Sequence, residues 1–181
     1  SKILGHDRVR TGDAVIAMAS SGLHSNGYSL VRHVLLNQAG WDLGRHVDDL
    51  GRTLGEELLE PTKIYALDVL DLIGKVEVHA MSHITGGGLA NNLARVIPND
   101  MAAVLHRTSW TPPAIFQLVQ TVGGLKQADI DATLNMGVGM VAILPQHEVD
   151  AALGILAARG VHSWVIGEIQ ASEGPGEAFL I

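Results

Sequence analysis

The fold is decided by residues Asp13–Gln38, DAVIAMASSGLHSNGYSLVRHVLLNQ. An apolar run, Ala14–Ala19, breaks into the turn SSGLHSNG at Ser20–Gly27, and a helical pattern then runs from Tyr28 to Gln38. This order predicts a strand, a glycine-rich turn and a helix. Such a turn leaves backbone N–H groups unpaired at the positive end of the helix dipole, so it suits a phosphate or a carboxylate.

Two more glycine-rich turns follow later in the chain. HITGGGLANNLARV begins at His83, and LNMGVGMVAIL begins at Leu134. One such turn is weak evidence, because glycine is used in turns mainly where the backbone needs a positive φ angle. Three turns in one small domain indicate a surface that holds a phosphorylated small molecule.

The side chains of the first turn strengthen this interpretation. They supply hydroxyl, imidazole and amide groups that can donate hydrogen bonds to an anion, at Ser20, Ser21, His24, Ser25 and Asn26. The second turn contains three consecutive glycines, whose entropic cost a simple connection could avoid. Close approach of the backbone to a ligand or to another chain would justify that cost.

Composition limits the classes of function. The 181 residues fit one domain, and their 47% hydrophobic and 4% aromatic content indicates an aliphatic core. The net charge is -7 and the 12 basic residues are scattered, which argues against a nucleic-acid partner and a membrane-surface helix. There is no cysteine, so thiolate chemistry and disulfides are excluded and a cytoplasmic location is expected. The first residue is not Met, which fits a piece of a longer chain.

The whole pattern predicts about five or six strands and five helices, besides a short helix at 128–133. Further strands are expected at 76–83, 101–106, 139–144, 162–169 and 177–181, and further helices after Pro61, Gly88 and Pro113 and at 128–133 and 148–159. In the helix after Pro61, four apolar residues follow the helical period: Ile64, Leu67, Leu70 and Ile73. The polar segment 39–60 is expected to be a long excursion over the surface. Because helices follow one another between strands, we expect an α+β fold, with a mixed, mainly antiparallel sheet and helices packed against it.

Several other functional motifs are either missing from the sequence or lie in the wrong structural context. Gly137–Ala142 matches the dinucleotide-binding fingerprint as a string, but an apolar strand follows where a helix must begin. The sequence has neither a GxxxxGK[ST] phosphate loop nor a GxSxG nucleophile elbow. His79 and His83 have i, i+4 spacing, but they fall in a strand pattern without a nearby carboxylate, so no metal site is expected. The acidic pairs at 48–49 and 56–57 are expected to be solvated charges.

Five blocks of sequence carry a family pattern: SSGLHSNGYSLVR at 20–32, LLEPTKIY at 58–65, SHITGGGL at 82–89 followed by Asn92 and Arg95, SWTPPAIFQLVQ at 109–120, and NMGVGM at 135–140. In order and spacing they resemble the C-terminal half of the phosphoribosylformylglycinamidine cyclo-ligase family, also called aminoimidazole ribonucleotide synthetases. The resemblance covers residues 12–169. The HSNGYSLVR and TGGGL blocks favour this family over thiamine-monophosphate kinases, selenophosphate synthetases and hydrogenase maturation factors, which share its fold.

The resemblance implies an activity for the complete enzyme. The family converts formylglycinamidine ribonucleotide and ATP to aminoimidazole ribonucleotide, ADP and phosphate, as a magnesium-dependent homodimer of two-domain subunits. ATP phosphorylates the formyl amide oxygen, and the amidine nitrogen then closes the ring with loss of phosphate. Residues 1–181 are expected to form one domain, the C-terminal half, which is inactive alone because ATP and magnesium bind mainly to the N-terminal half. Two alternatives stay open: a domain related to formylglycinamidine ribonucleotide synthetase, and a non-catalytic domain for nucleotide binding or oligomerisation.

The resemblance and the turn chemistry together give a candidate site. The residues expected to bind substrate or phosphate are Ser20, Ser21, Gly22, Ser25, Asn26, Gly27, His83, Thr85, Gly86, Gly87, Gly88, Asn135, Gly137 and Gly139. His24 is the candidate catalytic residue, because an imidazole can stabilise charge on the transferring phosphoryl group or move a proton. The alternative for His24 is a turn histidine that is hydrogen-bonded to the backbone.

Overall fold

The computed structural model describes residues 4–181. Its strands are β1 (Ala14–Ala19), β2 (His46–Val47), β3 (Arg52–Thr53), β4 (Ala80–His83), β5 (Met101–Leu105), β6 (Val138–Leu144), β7 (Ser163–Ala171) and β8 (Glu177–Leu180). Its α-helices are α1 (Tyr28–Arg32), α2 (Leu54–Leu58), α3 (Ala66–Lys75), α4 (Gly88–Ala94), α5 (Ala114–Gly123), α6 (Gln127–Asp131) and α7 (Val149–Ala158). A π-helical segment, His33–Gln38, continues α1. Within the described residues, every helix is too short or too polar to span a bilayer.

Six strands form one sheet in the order β4-β6-β1-β7-β5-β8. Neighbouring strands are antiparallel except β5 and β8, which are parallel. Helices pack against this sheet, so the prediction of an α+β fold with a mixed, mainly antiparallel sheet is confirmed. The strands β2 and β3 form a separate small hairpin.

Strand β1 lies inside the sheet and is buried on both of its faces. Val15 and Ala17 belong to the core that α4 covers. Ile16 and Met18 belong to the core that α3 and α7 cover on the opposite face. A strand covered on both sides has no face that needs polar residues, which explains the unbroken apolar run in the sequence.

A third core lies between α1, α2, α5 and α6. It buries Leu54 and Leu58, so the segment 39–60 is not simply the surface excursion that its polarity suggested. The segment folds as the β2-β3 hairpin followed by α2. A capping box starts this helix: the Thr53 hydroxyl accepts from the Glu56 N–H, and the Glu56 carboxylate accepts from the Thr53 N–H.

One of the two acidic pairs in this segment is not solvated as predicted. Glu57 is buried, and its carboxylate accepts a hydrogen bond from Arg52 Nε at 2.7 Å. Arg52 also donates to the Glu60 carboxylate at 2.7 Å. The pair at 48–49 is exposed, as predicted. The difference arises because Glu57 lies on the buried side of α2, where a charge needs a partner.

Helix α3 departs most from the sequence expectation. It begins at Ala66, several residues after the predicted start. The four residues that follow the helical period lie largely in solvent, and the buried residues of α3 are Asp68 and Leu72. The Asp68 carboxylate accepts from Arg159 Nε at 2.7 Å. The apolar stripe of this helix therefore faces away from the core.

The other predicted elements are present, with shifts at their ends. The largest shift is in β4, which begins at Ala80 rather than at Val76. The residues Gly137–Ala142 run into β6, so the rejection of a dinucleotide-binding fingerprint is confirmed. Leu134, at the start of the third glycine-rich turn, is fully buried in the third core.

Candidate functional site

Three strand ends meet at one edge of the sheet. Because β6 is antiparallel to both β1 and β4, its first residues lie beside their last: Ala19 pairs with Val138, and His83 pairs with Met140. The three glycine-rich turns therefore lie together, and we call this place the glycine-rich edge, formed by residues 20–27, 84–88 and 134–137. The structure thus brings the predicted site segments into one region.

Asn135 clamps the first turn to the third, and its side chain is fully buried. Its Nδ2 group donates to the carbonyls of Gly22 and Leu23 at 3.0 and 3.2 Å. Its Oδ1 atom accepts from the Gly137 N–H at 2.8 Å and from the Ser20 hydroxyl at 3.3 Å. Both polar atoms of the side chain are used inside the protein. Asn135 and the Gly137 N–H, which were ligand-binding candidates, instead hold the turn.

This clamp sets the direction of the amides in the first turn. Within a planar trans peptide unit, the C=O and the N–H point in opposite directions. The carbonyls of Gly22 and Leu23 point at Asn135, so the N–H groups of Leu23 and His24 point away from it. Five N–H groups of the turn lack a hydrogen-bond partner within residues 4–181: those of Gly22, Leu23, His24, Ser25 and Gly27. The N–H groups of Ser20, Ser21 and Asn26 are bonded internally.

The side chain of His24 is turned into the protein and is 4% exposed. Its Nε2 atom accepts from the Ser21 N–H at 3.1 Å, so the proton of the neutral ring is on Nδ1. Burial lowers the pKa of His24, and the nearby charges of His83 and Lys63 lower it further. A buried neutral ring whose accepting nitrogen is bonded to the backbone is poorly placed to touch a substrate. The geometry favours the turn-histidine alternative over the catalytic role.

Gly139 is required by packing rather than by a ligand. A Cβ atom there would run into Tyr65 Oη and would lie 2.7 Å from His24 Cε1. Tyr65 Oη donates to the Ala19 carbonyl at 2.7 Å. The Tyr65 ring has a ring-centroid distance of 6.1 Å to His24 and 6.4 Å to His83. Gly139 therefore makes room for His24 and Tyr65.

Lys63 brings positive charge to this region, and His83 adds an imidazole that can donate hydrogen bonds. His83 is exposed and lies edge-on to the Tyr65 ring. Lys63 Nζ lies 5.8 Å from the centroid of the same ring. Since both groups lower the pKa of His24, they lie within electrostatic reach of the first turn. A lysine and an exposed histidine beside unpaired amides favour the binding of an anion.

Asn92 holds the triple-glycine turn as Asn135 holds the first turn. Its buried Nδ2 group donates to the carbonyls of Thr85, Gly86 and Gly88 at 3.2, 3.3 and 2.7 Å. The Thr85 hydroxyl donates to Asn92 Oδ1 at 3.1 Å. Gly88 has a φ of +75°, and a Cβ atom on it would run into the Asp131 carbonyl. This turn is thus fixed by internal contacts, and Gly86 is left at the surface.

The hydroxyl groups of the first turn brace it against the chain before α3. The Ser21 hydroxyl donates to the Pro61 carbonyl at 2.6 Å. The hydroxyls of Ser25 and Thr62 lie 3.2 Å apart and share a hydrogen bond. These groups shape the turn, so the unpaired backbone amides, the Lys63 charge and the His83 imidazole are the strongest features for holding an anion.

A cleft of about 360 Å³ opens beside the first and third turns. It is lined by Ala19, Ser20, Ser109, Trp110, Thr111, Pro113, Gly137, His162 and Trp164. The rings of His162, Trp164 and Trp110 form a row, with successive centroids 5.2 and 6.3 Å apart. Trp110 Nε1 donates to the Met136 carbonyl at 2.9 Å, which fixes this indole. The row offers a surface on which a flat heterocycle could stack.

Within residues 4–181, no three His, Asp or Glu side chains gather in an arrangement that could hold a metal ion. His79 nevertheless has the carboxylate neighbours that the sequence did not suggest. Its Nδ1 atom lies 2.7 Å from Asp13 Oδ2, and its Nε2 atom lies 3.3 Å from Glu77 Oε1. Asp13 is 66 residues away in sequence, so only the sheet topology reveals this contact.

Four important residues were missed as site candidates: Lys63, Tyr65, Asn92 and Trp110. All four lie within or next to the blocks that carry the family resemblance. Their positions in those blocks were the available signal. Their roles depend on contacts between segments that are distant in sequence.

Comparisons with known proteins agree with the fold and the motifs. Residues 10–178 match the family model of AIR synthase related protein, C-terminal domain. A Streptomyces fradiae protein, named as a candidate phosphoribosylformylglycinamidine cyclo-ligase, is 62% identical over 161 residues, covering 89% of this chain and 88% of that protein. The phosphoribosylformylglycinamidine cyclo-ligase of Anaeromyxobacter sp. (strain Fw109-5) is 49% identical over 179 residues, covering 98% of this chain and 51% of that protein. The chain thus spans about half the length of this second relative.

Solved structures show the same fold. Thiamine-monophosphate kinase from Stenotrophomonas maltophilia K279a has a TM-score of 0.64 at 20% identity, covering 99% of this chain and 53% of that chain. Hydrogenase maturation protein HypE in complex with ATP has a TM-score of 0.59 at 22% identity, covering 98% of this chain and 49% of that chain. The family match and the two named relatives show family membership, which a likeness of fold alone does not. The chain belongs to the AIR synthase related protein family, of which it forms the C-terminal domain.

Proposed function

We propose that the protein containing this chain closes the imidazole ring of aminoimidazole ribonucleotide in purine biosynthesis. It consumes formylglycinamidine ribonucleotide and ATP and releases ADP and phosphate. Two relatives named for this cyclo-ligase activity, at 62% and 49% identity, support the proposal. The structural observation that carries it is the pair of N–H groups without a hydrogen-bond partner, on Leu23 and His24, which point away from the Asn135 clamp in a turn that the Lys63 charge reaches. Because the chain spans about half of the longer relative, the activity is assigned to the complete protein, and residues 1–181 alone are inactive.

In this proposal the first turn binds a phosphate of the substrate or of the nucleotide. Backbone N–H groups held by the Asn135 clamp need no reorganisation when charge develops on a phosphoryl group. Lys63 adds positive charge at the same place, and His83 adds an imidazole donor. His24 is a positioning residue, because its Nε2 atom fixes the Ser21 N–H and so the shape of the turn.

The cleft beside the turn receives the part of the ligand that becomes the heterocycle. Successive rings of its aromatic row are tilted by 31° and 30°, so single ring faces are available for stacking. Ser20 and Gly137 belong to both the cleft and the glycine-rich edge. A ligand with a phosphate at the edge and a planar group in the cleft would therefore be held at both ends. This arrangement suits a ribonucleotide.

ATP and magnesium are assigned mainly to the preceding half of the complete protein. The HypE complex with ATP shows that a protein of this fold takes this nucleotide. We also propose that the complete protein is a cytoplasmic homodimer with no nucleic-acid partner.

The test uses the protein expressed from the complete reading frame. Formation of aminoimidazole ribonucleotide and ADP is measured with purified substrate and ATP. Lys63→Gln and His83→Gln are each expected to raise the KM for formylglycinamidine ribonucleotide about tenfold, since one charge-assisted contact contributes about 1.4 kcal/mol. Lys126→Gln, which changes an exposed lysine before α6, is the matched control and leaves KM unchanged.

Three results would overturn the assignment. A folded protein that binds nucleotide but never forms product would be a non-catalytic binding domain. Glutamine- or ammonia-dependent consumption of formylglycinamide ribonucleotide would place the protein at the preceding step. Equal KM values for the three variants would remove Lys63 and His83 from the site.

A further inference from the structure

Helix α3 presents an apolar ridge to solvent. We use this name for Ile64, Leu67, Leu70 and Ile73, which are 82, 70, 61 and 37% exposed. Leu67, Leu70 and Ile73 are spaced by three positions and follow one another along α3, and Ile64 lies two residues before the helix begins. Single exposed apolar residues are common on protein surfaces, whereas a continuous row marks an interaction surface.

The orientation of α3 is fixed by its opposite side. Asp68 is buried and bonded to Arg159, which follows α7, at 2.7 Å. Leu72 is fully buried in the core beneath the helix. Turning the helix to cover Leu67 and Leu70 would unpair Asp68 and expose Leu72. The outward direction of the ridge is therefore built into the domain.

One end of the ridge lies beside the first glycine-rich turn, and the other end lies at a cavity. Its first end follows Pro61 and Thr62, which are bonded to the first glycine-rich turn. At its other end, Ile73 lines a cavity of about 390 Å³ together with Leu4 and Arg8. The ridge therefore runs from the glycine-rich edge to the place where the chain enters the domain.

We propose that the ridge is the docking surface for the domain that precedes this one in the longer relatives. The matching family model is that of a C-terminal domain, and this chain covers only 51% of the Anaeromyxobacter relative. The additional half of that relative therefore precedes the matched region. Leu4, the first residue that the structure describes, lines the same cavity as Ile73, so a preceding domain would meet this end of the ridge.

The surroundings of the ridge fit such an interface. Asp71 and Lys75, one turn apart on α3, form an ion pair at 2.9 Å beside the apolar row. An apolar centre with charged residues at its border is the usual composition of a stable interface. A domain that covers the whole ridge also reaches the glycine-rich edge, so the phosphate site would lie between the two domains. This inference rests on family membership and not on the proposed reaction.

The absence of cysteine from residues 1–181 allows a direct accessibility test. Leu67→Cys and Leu70→Cys place a thiol on the ridge. Leu43→Cys is the matched control, because Leu43 is 53% exposed and lies outside α3. Each variant is made in the 181-residue chain and in the protein from the complete reading frame. Maleimide labelling at each position is followed by mass spectrometry, and the thermal midpoint checks folding.

We expect all three cysteines to react readily in the 181-residue chain. In the complete protein, the two ridge cysteines react at least tenfold more slowly, while the control cysteine keeps its rate. Equal ridge labelling in both proteins overturns the proposal. Concentration-dependent protection in the 181-residue chain also overturns it, because a second copy would then cover the ridge, and so does a reading frame without a preceding half. Protection without cyclo-ligase activity would count against the proposed function alone.

Discussion

Asn135→Asp tests how the first glycine-rich turn is held. The substitution keeps the shape of the side chain and an accepting oxygen, but it replaces the Nδ2 donor by a second oxygen. The carbonyls of Gly22 and Leu23, now 3.0 and 3.2 Å from a donor, would then face an acceptor. Asn135→Ala, made in parallel, removes all the hydrogen bonds of the side chain.

The expected loss of free energy of unfolding in Asn135→Ala follows from the four hydrogen bonds of this side chain. Two have lengths of 2.8 and 3.0 Å, and two are longer, at 3.2 and 3.3 Å. With about 1 kcal/mol for each short bond and about half of that for each long one, Asn135→Ala lowers the free energy of unfolding by about 3 kcal/mol. A chain of this size loses about 2–4 °C of Tm per kcal/mol, so Tm falls by about 6–12 °C. Asn135→Asp costs at least as much, because it also buries a charge.

The assay is reversible thermal unfolding of the 181-residue chain, followed by circular dichroism. Asn91→Ala is the matched control, since Asn91 is exposed and makes one hydrogen bond, to the Gly87 carbonyl at 2.8 Å. The control shifts Tm by less than about 2 °C, as expected for a surface substitution. If Asn135→Asp unfolds at the same temperature as the unaltered chain, the clamp does not hold the turn.

Three further predictions concern the surroundings of the turn. Burial lowers the pKa of His24 below its ordinary value of 6.5, so at lower pH the unfolded chain takes up a proton that the folded chain does not. The free energy of unfolding therefore falls as the pH is lowered through 6.5. His24→Gln, whose side-chain oxygen reaches about as far as Nε2 and keeps an acceptor for the Ser21 N–H, removes that part of the fall; equal pH dependence in urea titrations of both proteins would contradict this. Gly139→Ala lowers the free energy of unfolding by about 2 kcal/mol because its methyl group meets Tyr65, and an unchanged urea midpoint would refute the packing argument. His162→Ala raises the KM of the complete protein without a matching loss of Tm, whereas an unchanged KM would separate the cleft from the substrate.

The local features of the fold could be predicted from the sequence. The run Ala14–Ala19 is apolar because both faces of β1 are covered, and its bounds match the prediction. The three glycine-rich turns were expected to line one cleft, and the antiparallel pairing of β6 with β1 and β4 brings them together. These features could be predicted because each depends on residues that are close together in the sequence.

The roles of single polar residues could not be predicted in the same way. Asn135 was a ligand candidate until its hydrogen bond to Gly22, 113 residues earlier in the sequence, became visible. His24 was equally ambiguous, because a turn histidine and a catalytic histidine have the same local pattern. Leu67 and Leu70 follow a helical period, but a period does not say which side of the helix meets the core. That choice is made by Asp68, through its long-range pair with Arg159.

The proposed function depends on the binding of a phosphate by the free amides of the first turn. The most direct measurement is an NMR titration of the ¹⁵N-labelled 181-residue chain with ribose 5-phosphate, up to about 10 mM, since a single phosphate contact gives about millimolar affinity. We predict that the largest amide shifts are those of Leu23, His24, Ser25 and Gly27, and that Lys63→Gln weakens them. Saturable shifts that leave these amides unmoved, or no shifts at all, would contradict the account.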